Sequence, residues 1–191
     1  MAANSKANVS VAKGVAGGYC YIAPLGTTLP TDATTALANT YVNVGYLSDD
    51  GVTHKRSTST TNFYDLNGDA VETASSTSSR EMTLRMIEMN VTALKEVYGD
   101  SKVTEAGGVI SYTDTDTDLA HKVLVLELVL KNNKRWRRIF PDVKVTAFDD
   151  NTVLSTNLAS HGLTYTKFAD ASGNYEYSYI ATPATSPANP E

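Results

Sequence analysis

Two acidic runs resemble the start of a calcium-binding loop, in which alternate carboxylates offer oxygen ligands to one hard cation. The runs are Asp114–Asp118 and Asp65–Asp69. Such a loop also needs a glycine at its sixth position and a glutamate at its twelfth. The first run has Leu119 and Val125 there, and the second run fails at the same two positions. We therefore interpret both runs as solvated turns and predict no metal.

Three histidines and one cysteine are the other side chains that could act as a base, a ligand or a nucleophile. His54, His121 and His161 fit no metalloprotease pattern, and no serine stands in a nucleophile elbow. Cys20 follows a tyrosine in an apolar segment, where a cysteine is usually a small buried residue rather than an activated thiolate. We therefore predict neither an enzyme nor a cofactor.

One basic segment has a feature that is typical of nucleic-acid binding, because Trp136 stands among cations and could stack on a base. In an extended strand Arg135 and Arg137 share one face while Trp136 and Arg138 share the other, so the positive charge is divided. A salt-bridged protein contact is the favoured interpretation. The candidate inter-subunit contacts here are Arg135, Trp136 and Arg137.

The composition narrows the possible classes of protein. A chain of 191 residues has the length of one domain. The chain has 16 Lys and Arg residues and 21 Asp and Glu residues, which gives a formal net charge of -5. This negative charge argues against a general nucleic-acid binder. A single cysteine cannot form a disulfide framework within one chain.

No segment has the pattern of a signal peptide or a membrane span. Residues 1–18 lack the apolar stretch of a secretory signal. The most apolar segment, Val123–Leu130, is far shorter than the roughly 20 residues that cross a bilayer. We expect a protein made in the cytoplasm, with no membrane partner.

The first part of the chain predicts strands and turns. Tyr19–Ala23 and Tyr41–Leu47 have the aromatic and aliphatic content of strands. Asp49–Gly51 is an Asp-Gly turn signal, so we expect Tyr41–Leu47 to form a hairpin with the strand that begins at Val52. Thr58–Ser79 is rich in Ser, Thr, Asn, Gly and Asp, which predicts a long loop with a functional role.

Clear periodicity marks the next elements. Arg80–Met86 alternates apolar and polar residues, which predicts a strand with one buried face. Asn90 is a suitable N-cap, Val91–Tyr98 has helical spacing, and Gly99 suits the end of a helix. His121–Leu130 is apolar on both faces, so we expect a strand that is covered on both sides, between the core and the helix.

The remaining strands complete a mostly β protein. Leu163–Phe168 is expected to pair with Tyr175–Ile180 across the turn Asp170–Asn174. Short strands with one helix predict an antiparallel β-sandwich or partly open barrel with one flanking α-helix. The predicted organisation is an N-terminal arm over residues 1–18, a single domain over 19–181 with the long loop at 58–79, and a flexible tail over 182–191.

Several segments, taken in order, resemble the major tail tube proteins of long-tailed bacteriophages. The most specific is Tyr21–Ala33, with the sequence YIAPLGTTLPTDA. Val44–Val52 reads VGYLSDDGV, the helix ends at Val97–Gly99, and the last matching stretch runs from Asp170 to Ile180. Together these segments span nearly the whole chain.

The resemblance implies a virion protein that assembles as stacked hexameric rings around a channel for DNA. It implies no catalytic residue, metal or cofactor. The implied partners are further copies of the chain, with tail terminator, tape measure and tail tip proteins, while DNA passes without specific binding. The basic strand around Trp136 and the loop 58–79 depart from the family pattern.

A strand with one polar face suits the wall of such a channel. We expect the outer face of the helix, with Lys95 and Glu96, to lie on the other side of the tube. The loop 58–79 is expected to become ordered between successive rings, where its apolar residues would contact neighbours. Acidic residues at the rim would repel DNA phosphates. The candidate lumen-facing residues are Glu81, Thr83, Arg85, Thr53, Lys55, Ser57, Asp49 and Asp50, and the candidate contacts in the loop are Phe63, Tyr64 and Leu66.

Two other classes of protein remain open. A tube subunit of a contractile tail, or of a secretion or injection system, would have a similar composition and fold. A monomeric β-sandwich could instead bind carbohydrate through exposed tyrosines. Oligomeric state and electron microscopy distinguish the monomer from the tubes.

Overall fold

Eleven strands and one α-helix make up the part of the chain that the computed structural model describes, residues 4–149 and 156–182. This composition confirms the mostly β prediction. Short 3-10 turns lie at Lys6–Asn8 and Lys131–Asn133. The α-helix is α1 (Val91–Tyr98), and the strands are β1 (Lys13–Gly14), β2 (Cys20–Pro24), β3 (Val42–Asn43), β4 (Thr53–Tyr64), β5 (Ala70–Met86), β6 (Val103–Ala106), β7 (Val109–Tyr112), β8 (Lys122–Val129), β9 (Arg135–Phe148), β10 (His161–Lys167) and β11 (Tyr177–Ala181).

Nine of these strands form one antiparallel sheet, with seven in the order β3-β2-β8-β9-β10-β5-β4. β1 is added beside β8, and β11 beside β9. The pairing of β8 with β9 shifts register between Lys122 and Leu124, and such a bulge bends the strand that carries it. The first half of β9 therefore belongs to one layer, with β8, and the second half to another, with β10, β5 and β4.

The main core lies between these two layers, which we call the β8 layer and the β4 layer. Met82, Leu84 and Met86 of β5 belong to the same buried cluster as Leu124 and Leu126 of β8. All five side chains are at most 2% exposed. The prediction of one buried face in Arg80–Met86 is confirmed, and the open, two-layered sheet agrees with the predicted sandwich.

A second buried cluster covers the outer face of the β8 layer. Val123 and Val125 lie in it, with Ile139 of β9 and Tyr41. Leu29 and other apolar residues of the chain between β2 and β3 pack on this cluster. Both faces of β8 are thus covered, as predicted. The prediction that the helix covers the outer face was wrong, because the helix does not lie on this face.

Helix α1 packs against the main core instead. Ala93 is fully buried in that cluster, and Val97 packs beside it. The Asn90 side chain accepts a hydrogen bond from the Ala93 N–H, which caps the helix. Gly99 closes the helix with a positive φ of 95° and donates its N–H to the Lys95 carbonyl. The predicted helix and both of its caps are confirmed.

The long loop predicted for residues 58–79 was wrong, because this segment is the outer part of a hairpin. β4 and β5 pair from Thr53 with Thr83 to Tyr64 with Ala70. β10 pairs with β5 only between Glu81 and Met86. The hairpin therefore continues past the sheet as a two-stranded ribbon, residues 57–80. Its abundant threonines favour strands, whereas the prediction weighed only its polarity.

Two predicted hairpins have other strand partners. In the first, β3 pairs with β2 and β4 pairs with β5, so β3 and β4 are not partners. The predicted turn still forms, because the Gly51 N–H donates to the Ser48 carbonyl. β10 and β11 do not pair with each other, because both lie along the same long strand, β9. A turn does form at Asp170, where its backbone N–H bonds to the Asn174 carbonyl.

The N-terminal arm lies along the sheet where the structure describes it. Lys13 pairs with Val129 in β1, and the Ser10 hydroxyl accepts the Lys131 N–H at 2.5 Å. Most side chains of residues 4–18 are exposed. The predicted flexible tail is described only at residue 182, because 183–191 lie outside the described residues.

Candidate assembly surfaces

The outward face of the β4 layer is polar across four strands. Strand register places Thr53 opposite Thr83 and Lys55 opposite Glu81, and Thr83 in turn opposite Thr164. We call this face the polar wall. Its outward residues are Thr53, Lys55 and Ser57 of β4, Glu81, Thr83 and Arg85 of β5, Thr164 and Thr166 of β10, and Lys144 and Thr146 of β9. The structure thus brings six of the eight candidate lumen residues onto one surface.

Hydroxyl pairs tie the strands of the polar wall together. The Thr83 and Thr164 hydroxyls are 3.2 Å apart, and those of Thr146 and Thr166 are 2.8 Å apart. Such cross-strand pairs stabilise neighbouring strands.

The charges of the polar wall occur in opposite pairs. Lys55 lies 3.3 Å from Glu81, Arg85 lies 3.0 Å from Asp149, and Lys144 lies 2.7 Å from Asp118. The hydrogen bond from Lys144 lowers the pKa of Asp118. The wall is therefore balanced in charge, whereas the sequence led us to expect a surplus of carboxylates.

The remaining two lumen candidates, Asp49 and Asp50, lie in a turn at the end of the polar wall, where the Ser48 N–H donates to the Arg85 carbonyl. Both are exposed and belong to the turn between Ser48 and Gly51, which follows the bridge from Leu47 to Met86. This acidic turn stands at the end of β5 opposite to the ribbon.

The ribbon carries exposed apolar side chains near its tip. Phe63 is 50% exposed, Tyr64 61% and Leu66 fully exposed. Asp65 shapes the turn by accepting the backbone N–H groups of Asn67 and Asp69, and these bonds lower its pKa. The predicted solvated turn is confirmed here. All three candidate contact residues are accessible in the isolated subunit.

The basic strand forms its ion pairs within the subunit. Arg137 is only 3% exposed and donates to Glu127 at 2.5 Å and to the carbonyls of Asp32 and Thr35. Its guanidinium therefore has no surface to offer a neighbour, which corrects its assignment as an inter-subunit contact. Arg135 remains half-exposed.

Trp136 is also engaged within the subunit. Its indole N–H donates to the Ser178 hydroxyl at 2.7 Å, and the Arg138 guanidinium lies 5.1 Å from its ring centre. One edge of the indole is therefore bonded and one face lies near a cation, so Trp136 contributes to contacts within the subunit.

Sequence reasoning missed a cluster of charged groups between the two layers. Arg138 donates to both Glu176 oxygens and approaches His54 Nε2 at 2.7 Å, while Lys167 Nζ lies 2.8 Å from His54 Nδ1. Burial, together with these two cations, lowers the pKa of His54 to about 4. The residues are far apart in sequence, and the sole signal was a lysine at the end of an otherwise apolar alternation in β10.

Glu96 faces the protein interior rather than the outer wall. It is 3% exposed and bonds to Lys122 Nζ at 2.5 Å and to the Tyr165 hydroxyl at 3.0 Å. Burial raises the pKa of Glu96, while the Glu96 charge helps to raise the pKa of Lys122. The expectation that Glu96 is accessible from outside was therefore wrong.

The cysteine and the three histidines do not come together in one site. Cys20 is fully buried, and burial raises the pKa of its thiol. His54 stacks on Phe140, His121 contacts Asp142 at 2.6 Å, and His161 packs against Tyr98. Within residues 4–149 and 156–182, no three His, Cys, Asp or Glu side chains are grouped so that they could hold a metal ion.

In the part of the chain that the structure describes, no helix is long and apolar enough to span a bilayer.

Several solved structures are similar to this chain in fold, and one of them is a component of another tube. The anti-feeding prophage cap, described as the cap that terminates the AFP tube, matches with 10% sequence identity and a TM-score of 0.44. The alignment covers 91% of this chain and 96% of that chain. No curated protein matches the chain significantly.

The sequence model of one protein family matches almost the entire chain. It is the phage tail tube protein family, and the match covers residues 1–189. This match confirms the resemblance seen in the sequence, and it confirms a structural protein of the virion tail rather than an enzyme. The chain belongs to the phage tail tube protein family.

Proposed function

We propose that this subunit polymerises as hexameric rings, stacked into a tail tube through which DNA is ejected into the host. The observation that carries the proposal is the polar wall, a four-stranded face of hydroxyls and paired charges directly behind an apolar core. A sheet that is buried on one face and hydrated on the other suits the inner wall of a tube.

The polar wall is proposed to line the channel. Tight binding of DNA requires unpaired cations that neutralise phosphates. On this wall Lys55, Arg85 and Lys144 each already have a carboxylate partner. A duplex could therefore pass without being held. We also propose that Asp49 and Asp50, at the end of this layer, lie at the channel rim.

The ribbon is proposed to contact the next ring. An isolated two-stranded hairpin is marginally stable in water, and this one exposes apolar side chains near its tip. Eight residues from Ser57 to Tyr64 reach roughly 26 Å at strand spacing. Burial of Phe63, Tyr64 and Leu66 against another subunit would stabilise both the ribbon and the stack. The N-terminal arm, also largely exposed, is a second candidate for this contact.

Further partners follow from the family. We propose that tail terminator, tape measure and tail tip proteins bind the tube ends or its channel, and that the subunit is made in the host cytoplasm before it joins the virion. No cofactor is required for assembly.

Direct imaging tests this function. Purified subunit, concentrated without metal or nucleotide, is expected to form rings with six subunits and tubes with an open channel in negative-stain electron microscopy. Size-exclusion chromatography should show a concentration-dependent shift to large species. A protein that stays monomeric at high concentration would contradict the proposal and would favour a monomeric binding module instead.

A further inference from the structure

The base of the ribbon concentrates positive charge in an otherwise acidic protein. Arg56 and Arg80 are direct cross-strand partners, and alternation places them on the same face as His54, above Arg138 and Lys167. We call these four cations the base cluster. Like charges directly opposite each other on a sheet are destabilising. An anion bound beside Arg56 and Arg80 would relieve the repulsion between these two cations.

The contacts of His54 show an excess of hydrogen-bond donors in the base cluster. Its two ring nitrogens lie 2.7 Å from an Arg138 nitrogen and 2.8 Å from the Lys167 nitrogen. A neutral imidazole accepts a hydrogen bond at one nitrogen only, while arginine and protonated lysine can only donate. The cluster thus holds more donors than acceptors.

Little negative charge lies nearby to compensate. Glu176 pairs with Arg138, and its charge also acts on Lys167, whereas no carboxylate among the described residues pairs with Arg56 or Arg80. The buried Arg80 Nε has no hydrogen-bond partner, although its guanidinium lies 3.9 Å from the centre of the Tyr175 ring.

The opposite end of the same layer has the opposite character. Asp49 and Asp50 are exposed and bond only to the neighbouring Ser48 among described residues. β5 connects the two ends, and the five residue steps from Arg80 to Arg85 separate them by roughly 17 Å. Each subunit therefore has a cationic end, which also bears the ribbon, and an anionic end.

We propose that the base cluster of one subunit receives the acidic turn, Asp49 and Asp50, of a second copy in the next ring. This inference rests on the proposed tube. The contact is heterologous, because two different surfaces meet, and such contacts continue into open filaments rather than closing as dimers. The complementary charges also fix the direction in which rings add, since two cationic or two anionic ends repel.

Charge reversal and its compensation test the contact. Arg56→Glu and Asp50→Arg are both exposed changes, so the isolated subunit should stay folded. Each alone should leave rings intact but shorten tubes about tenfold or more, because like charges then face each other at every ring junction. The double variant, Arg56→Glu with Asp50→Arg, should restore long tubes. Lys95→Glu on the helix is the matched control and should leave tube length unchanged.

Salt provides a second measurement on the unaltered chain. Tubes should shorten or dissociate into rings as ionic strength rises, because solvent-accessible charge pairs are screened. Tubes of normal length in both single variants, or double variants no longer than the single ones, would overturn the inference while leaving the tube function intact. Loss of rings in the single variants would also overturn it, because the charges would then act within a ring. Failure of the unaltered chain to polymerise would contradict the proposed function, and this inference with it.

Discussion

At the scale of single residues, Arg137 joins three separate segments of the subunit. Its guanidinium bonds to Glu127 on β8 and to the backbone carbonyls of Asp32 and Thr35 in the chain that covers the outer cluster. Removal of one partner of a buried pair leaves the other charge uncompensated, which costs about 3–5 kcal/mol.

We therefore predict that Arg137→Met lowers the free energy of unfolding by about 3–5 kcal/mol. Urea denaturation followed by circular dichroism measures the change. Arg135→Met is the matched control, with the same loss of charge on the same face of β9 but at a half-exposed position, and should cost less than about 1 kcal/mol. Similar losses in the two variants would show that the network around Arg137 does not stabilise the subunit.

His54 predicts how stability depends on pH. Its pKa is lowered to about 4 in the folded subunit by burial and by Arg138 and Lys167, against about 6.5 for an ordinary histidine. The unfolded chain therefore takes up a proton at higher pH than the folded chain. The contribution of His54 to stability is present above about pH 6.5 and is lost as the pH falls toward 4.

The comparison with His54→Gln isolates this effect. The free energy of unfolding of the unaltered chain should fall, relative to that of the variant, between pH 7.5 and about 4.5. Urea titrations across this range measure the difference. Parallel pH profiles for the two proteins would mean that His54 is not the group responsible.

At the scale of elements, the ribbon should be dispensable for folding and needed for assembly. Ser57 and Ser79 are cross-strand partners, so an Asn-Gly turn can join them and replace residues 58–78. The described side chains of the replaced segment are exposed, and its loss should leave thermal unfolding nearly unchanged while long tubes no longer form.

Point variants separate the tip from the rest of the ribbon. Phe63→Ser with Leu66→Ser should shorten tubes in electron micrographs, because the apolar contact between rings is lost. Val109→Ser, also exposed but on β7, is the control. Tubes of normal length after the ribbon is replaced would contradict a role between rings.

At the scale of the whole molecule, the two sides of the tube should differ in access. Cys20 is fully buried and should not react with thiol reagents, so a single added cysteine can be labelled alone. Thr53→Cys places a thiol on the polar wall, and Lys95→Cys places one on the helix. In assembled tubes a small maleimide should label both, whereas a maleimide on a bulky polymer should label only position 95.

Free subunits provide the control, because both positions should then react with both reagents. Rapid labelling of position 53 by the bulky reagent in intact tubes would place the polar wall outside the tube. Mass spectrometry of the labelled chain measures both positions at once.

Local patterns in the sequence determined the elements whose information is local. The alternation in Arg80–Met86 predicted which side chains are buried, and Asn90 and Gly99 predicted where the helix begins and ends. A side chain's face and a helix cap depend on residues a few positions away, so they can be read along the chain. The family resemblance likewise follows from sequence, and the match over residues 1–189 confirms it.

Only the tertiary structure decided which strands pair and which charges meet. β4 pairs with β5 across the segment that was expected to be a loop, and β10 and β11 share β9 instead of pairing with each other. The base cluster joins β4, β5, β9 and β10, and Arg137 has partners more than 100 residues away at Asp32 and Thr35. Strand pairing depends on which sheet edges meet after the chain folds over its core, and no local periodicity contains that information.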